Sequence, residues 1–126
     1  MKLIRFYAGA EKGTEREPVR SDQWDEAEEY LGKRYHGFTR INAVGDYRIP
    51  EESIHFKEPS RVYEIIDTTQ HTTEVDVARV QTEAGDLAKI LGQLSVGWVV
   101  LPVTGAGFAI SREPVKRALF AGEIER

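Results

Sequence analysis

The stretch RVYEIIDTTQHTTEVDVARVQTEAGDLAKILGQLSVGWVVLPV, residues 61–103, decides the fold, because it passes from a strand pattern to a helix pattern and back. Residues 61–66 form a run of β-branched and aromatic side chains and read as a strand. Val77, Val80, Ala84, Leu87, Leu91 and Leu94 then recur at alternating steps of three and four, which predicts a helix with one narrow apolar stripe, ended by Gly92. Thr73 with Asp76 three residues on resembles a capping box at its start, with Asp in place of the usual Glu or Gln. Residues 96–103 are the most apolar of the chain and predict a well-buried strand.

Working outward, residues 2–8 alternate: Ile4, Phe6 and Ala8 point one way, and Leu3, Arg5 and Tyr7 the other. A polar loop over residues 9–20 leads to Ser21, the expected N-cap of a helix running to about Tyr35, with Asp22, Asp25 and Glu26 in its first turns. Trp24, Ala27, Leu31 and Tyr35 lie on its apolar stripe, and Gly37 stops it. Residues 38–44 read as a strand, Gly45-Asp46 as a turn before residues 47–50, and Glu58-Pro59 as an interruption of the extended run 53–67. The order β-α-β-β-α-β predicts an α+β fold, a ferredoxin-like two-layer sandwich of one antiparallel sheet with two helices on one face. The 126 residues suffice for one domain, with a sandwich core over residues 1–103 and a C-terminal extension over 104–126, where 114–119 would add a helical turn or two.

The formal charge is −4 and neither half of the chain is polarised, so the basic footprint of a phosphate-backbone binder is missing and nucleic acid is an unexpected partner. There are no cysteines, hence no disulfides, thiolate metal sites or cysteine nucleophiles. The N-terminus is too short in apolar residues for a signal peptide and nothing later resembles a spanning helix, so a cytoplasmic protein away from membranes is expected.

No motif stands out for chemistry. Gly105-Ala106-Gly107 follows a strong strand, but Ile110 replaces the third glycine of a dinucleotide fingerprint and no Walker lysine follows. Ser95 precedes a strand, the reverse of a nucleophile elbow. His36, His55 and His71 lack metal-site spacing, so neither metal nor cofactor is implied. His71 lies in a polar loop at a strand-to-helix junction, where side chains and free helix N–H groups meet ligands. The acidic groups Glu11, Glu15, Glu17 and Glu26, Glu28, Glu29 read as solvated surface.

The main functional pointer is distributed over strands. If Ile4 and Phe6 face the helices, then Arg5 and Tyr7 look out from the open sheet face, where Arg61 or Tyr63 and Trp98 would join them. Arginine offers a planar fork of donors and the aromatics offer stacking faces. The same composition suits a sheet-to-sheet contact closing a homodimer or higher oligomer, with a ligand seated between the copies.

Ser21-Asp22-Gln23-Trp24, Gly37-Phe38-Thr39, Gly45-Asp46-Tyr47-Arg48, Glu58-Pro59-Ser60-Arg61-Val62 and Gln93-Leu94-Ser95-Val96 together resemble a family of small bacterial proteins known only as a domain of unknown function. The resemblance covers about residues 7–96. It implies a ferredoxin-like sandwich and the register of Trp24, Glu58 and Arg61, and it implies no activity.

These readings converge on a non-enzymatic protein that binds a small anionic or planar, nucleotide-like molecule at the open sheet face or a subunit interface. Arg5 and Arg61 would pair with the anion, Tyr7, Tyr63 and Trp98 would stack or wall the pocket, and His71 would close it. The alternatives are an acid/base enzyme with Glu58 or His71 as base and Arg61 as stabiliser, and a module that only dimerises.

Overall fold

The computed structural model describes residues 1–9, 11–12, 17–49, 51, 54–106 and 109. In chain order its elements are β1 (Lys2–Gly9), the two-residue strands β2 (Glu11–Lys12) and β3 (Glu17–Pro18), α1 (Ser21–Tyr35), β4 (Thr39–Ile49), β5 (Ile54–Asp67), α2 (Thr73–Leu91) and β6 (Gly97–Pro102). Two helices accompany a four-stranded antiparallel sheet in the order β4-β5-β1-β6, an α+β architecture. The expected tail elements beyond residue 109 lie outside the described residues.

The alternation along β1 sets the layers. Ile4, Phe6 and Ala8 are at most 1% exposed, whereas Tyr7, on the other side, stays 39% exposed. The buried set joins Tyr63 and Ile65 of β5, Trp24, Ala27 and Leu31 of α1, and Val80, Ala84, Leu87 and Leu91 of α2 in one core. Both helices therefore cover the same face of the sheet. No helix among the described residues is long and apolar enough to cross a membrane.

Both helices occupy the expected spans, but their caps differ. Arg20, not Ser21, is the N-cap of α1, where its backbone N–H donates to Gln23 Oε1 at 3.0 Å. His36 takes the left-handed C-cap at φ 62°, one residue before the expected Gly37. Thr72 caps α2, its Oγ1 accepting the Val75 N–H at 3.3 Å, and Asp76 is drawn instead into a buried ion-pair network. Gly92 ends α2 at φ 66°, with its N–H bonded to Ala88 and Lys89 carbonyls. An added Cβ is disfavoured in that region, so Gly92→Ala is expected to cost about 1–2 kcal/mol, read from the urea midpoint.

Three strand expectations change. β4 runs straight through Gly45-Asp46, and its pairing with β5 continues to Ile49↔Ile54. β5 runs through Pro59, because β1 ends opposite Ser60 and one flank of β5 is an edge from there on. β6 is an edge strand, half-buried at best, because its apolar residues divide between the two faces of the sheet.

Candidate functional site

Residues opposite one another in an antiparallel pair share a face. Phe6 lies opposite both Tyr63 and Trp98, and Ala8 lies opposite Arg61. Arg61, Tyr63 and Trp98 thus belong to the helix-covered face, and only Arg5 and Tyr7 of the expected group look out from the open face. This corrects the single composite surface expected from sequence. Strand periodicity is two, so a one-residue difference in register moves a side chain through the sheet.

The same geometry separates the acid/base trio. Glu58 shares the open face with Ser60, Val62 and Glu64, and its carboxylate stands so close over Gly9 that a Cβ there would meet Oε1 at 2.5 Å. Arg61 is on the other face. His71 lies at the far end of the sheet, where its carbonyl accepts a hydrogen bond from Lys2 Nζ at 2.9 Å. Lys2 and Ala8 are six residues apart on one strand, roughly 20 Å. His71 therefore does not reach Arg61.

Arg61 and Tyr63 instead meet Trp24 and Glu28 of α1. Trp24 and Glu28 stand one turn apart on α1 and so project side by side toward β5. Glu28 Oε2 accepts from Arg61 Nη1 at 2.7 Å, from the Tyr63 hydroxyl at 2.8 Å and from Arg40 Nη1 on β4 at 3.1 Å. The Arg61 guanidinium lies over the Trp24 ring, 4.2 Å from its centroid. Tyr63 is fully buried, with Phe38 edge-on at 5.3 Å. Asn42, opposite Arg61 on β4, completes the corner and is exposed.

Burial alone would raise the Glu28 carboxyl, but the hydrogen bonds from Tyr63, Arg40 and Arg61 prevail and hold it below its ordinary value. Burial, reinforced by the bond to Glu28, pushes the Tyr63 phenol well up. The corner thus carries two guanidiniums and one ionised carboxylate, one positive charge in excess. Arg40 Nη1 reaches both Glu28 oxygens, and Arg61 meets Glu28 and the Tyr63 hydroxyl, so two guanidiniums with five donors each share a single carboxylate. Arg40 is 43% exposed along its side chain. The arrangement suits an anion approaching from solvent.

A second polar cluster sits at the opposite end of the helix layer. Arg79 Nη2 reaches Asp67 Oδ2 at 2.6 Å and Asp76 Oδ1 at 3.0 Å, and Lys2 pairs with the other Asp76 oxygen. Arg79 also lies over the Tyr35 ring at 5.5 Å, and the Tyr35 hydroxyl donates to Glu83, which takes Arg34 Nε at 2.7 Å. Its charges satisfy one another, so it fastens the two helices and the sheet. Among the described residues no three His, Asp or Glu side chains group as metal ligands.

No family model and no curated protein matches the chain. Solved structures do resemble it. A phage SAM lyase in complex with S-methyl-5'-thioadenosine aligns with a TM-score of 0.60 at 20% identity, over 79% of this chain and 78% of that one. A phage SAM lyase in its apo state aligns over the same shares with a TM-score of 0.59 at 20% identity. A DUF3240 family protein from Shewanella baltica aligns with a TM-score of 0.48 at 13% identity, over 86% of this chain and 97% of that one. At 20% identity, what this chain shares with the phage enzyme is its fold.

Proposed function

We propose that this protein binds a small anionic, nucleotide-like ligand at the corner formed by Arg40, Asn42 and Arg61 on a scaffold of ferredoxin-like type. The observation that carries the reading is the convergence of two guanidiniums on one Glu28 oxygen, which brings together more donors than that carboxylate can take up. Glu28 holds the cations in place, and Trp24 keeps the Arg61 plane flat, so little side-chain freedom remains to be lost on binding. The outer face of that guanidinium offers a stacking surface for a planar ring. Support for the scaffold comes from the position of β1 between β5 and β6. Support for the ligand class comes from the phage lyase of like fold, which holds a nucleoside derivative.

Calorimetric titration with AMP and with adenosine tests the assignment. A charge-assisted hydrogen bond is worth about 1.5–3 kcal/mol, so Arg40→Ala is expected to weaken AMP roughly tenfold or more while leaving adenosine unchanged. Arg40 stands at the exposed rim of the corner and its loss leaves Arg61 and Tyr63 on Glu28, so the fold stays intact. Absence of AMP binding, or equal weakening for both probes, would remove the reading.

A further inference from the structure

The open face of the sheet presents Leu3, Arg5 and Tyr7 of β1, Val62, Glu64 and Ile66 of β5, Val99 and Leu101 of β6, and Ile41 of β4. Of the eight large hydrophobic residues exposed among the described residues, four lie here: Tyr7, Ile41, Ile66 and Leu101. Ile66 is 50% exposed and Leu101 44%. Charged residues make up 30% of the chain, yet at its middle this face carries Arg5 and Glu64, paired at 2.5 Å, with Glu58 set apart at the Gly9 end. The uncovered face of an antiparallel sheet is ordinarily polar, so a contiguous apolar patch there marks an interaction surface.

We infer that this face packs against the same face of a second copy, with the Arg5–Glu64 pairs of the two copies brought together across a two-fold axis. Charge selects this occupant. One cation beside one anion favours neither an acidic nor a basic partner, but it is self-complementary: a two-fold rotation sets each Arg5 toward the other copy's Glu64. The flanking Leu3, Val99 and Leu101 of one copy then meet apolar residues of the other. Both Arg5 and Tyr7, which the register withdraws from the ligand corner, acquire a role here. The inference is independent of the ligand reading, which concerns the opposite face.

The test is light-scattering mass measurement on the full chain, with circular dichroism as the check on folding. The wild type is expected at twice the 14.3 kDa chain mass. Arg5→Glu and Glu64→Arg are each expected to run at the single-chain mass, because like charges then face one another across the axis. Mixing the two variants is expected to restore the doubled mass, since each copy's altered residue meets an opposite charge on the other. A monomeric wild type would overturn the inference, as would a dimer unaffected by Arg5→Glu or variants that stay monomeric when mixed. Ile66→Lys, folded and monomeric, would support the same face without altering the ion pair; a dimer persisting in it would count against the face.

Discussion

Arg79→Met is expected to lower the unfolding free energy by about 3–5 kcal/mol, because it leaves two carboxylates buried with the cation between them gone. Asp67 is 4% exposed and Asp76 is fully buried. Asp67 keeps the bonds from the Thr69 N–H and hydroxyl, and Asp76 keeps Lys2, but neither recovers the guanidinium that bridges them. Urea unfolding reads the effect as a lower midpoint at unchanged slope. Arg40→Ala provides the contrast: it also removes an arginine–carboxylate contact, but an exposed one, and should cost under about 1 kcal/mol. A loss below that level for Arg79→Met would mean that the network is solvated and not structural. Burial alone would raise the Asp67 carboxyl, but Arg79 and Thr69 hold it low, so the stabilisation is present above its ordinary value of 3.8 and is lost as pH falls through its lower native value.

Alkaline pH is expected to unfold the protein through its tyrosines. Tyr30 donates to Asp86 at 2.6 Å, Tyr35 to Glu83 and Tyr63 to Glu28, so each phenol that ionised would place a second anion against a carboxylate. Burial comes first and these bonds second in pushing all three phenols well above the ordinary 10.0. The native state keeps its phenolic protons while the unfolded chain releases them. The phenols' contribution to stability is therefore constant below pH 10 and falls above it, by at most about 1.4 kcal/mol per pH unit for each phenol. Urea midpoints measured on either side of pH 10 check this, together with phenolate absorbance. Phenolate signal rising ahead of unfolding, at constant stability, would refute it. All three bonds have one end on α1, so the helix that carries Trp24 and Glu28 should be released with them.

Local signals made much of the fold legible: the alternation in residues 2–8 and the apolar stripes of both helices fall where the elements do. Register was not legible. Val62 and Ile66 are as apolar as Ile65, and the run containing Trp98 is apolar on both faces, so composition could not decide which residues stand opposite Phe6. The acidic partners hid for a different reason. Glu28 sits in a cluster of glutamates that resembles solvated surface, although its place one turn beyond Trp24 puts it at the rim of the buried stripe. Asp76 and Glu83 flank Val80 at helical spacing, and that was the available sign that they are core-facing.

β1 carries two unrelated sets of demands on alternate residues: Ile4, Phe6 and Ala8 answer to the core, and Arg5 and Tyr7 to the uncovered side. Point substitution can change either set alone. Insertion or deletion of one residue cannot, because it would send Arg5 into the core and Phe6 outside, and a strand bonded along both flanks has no free edge on which to absorb a bulge. Descendants of this chain should accordingly diverge at odd and even positions of β1 at separate rates while its length stays fixed, and changes in length should collect in the connections between elements.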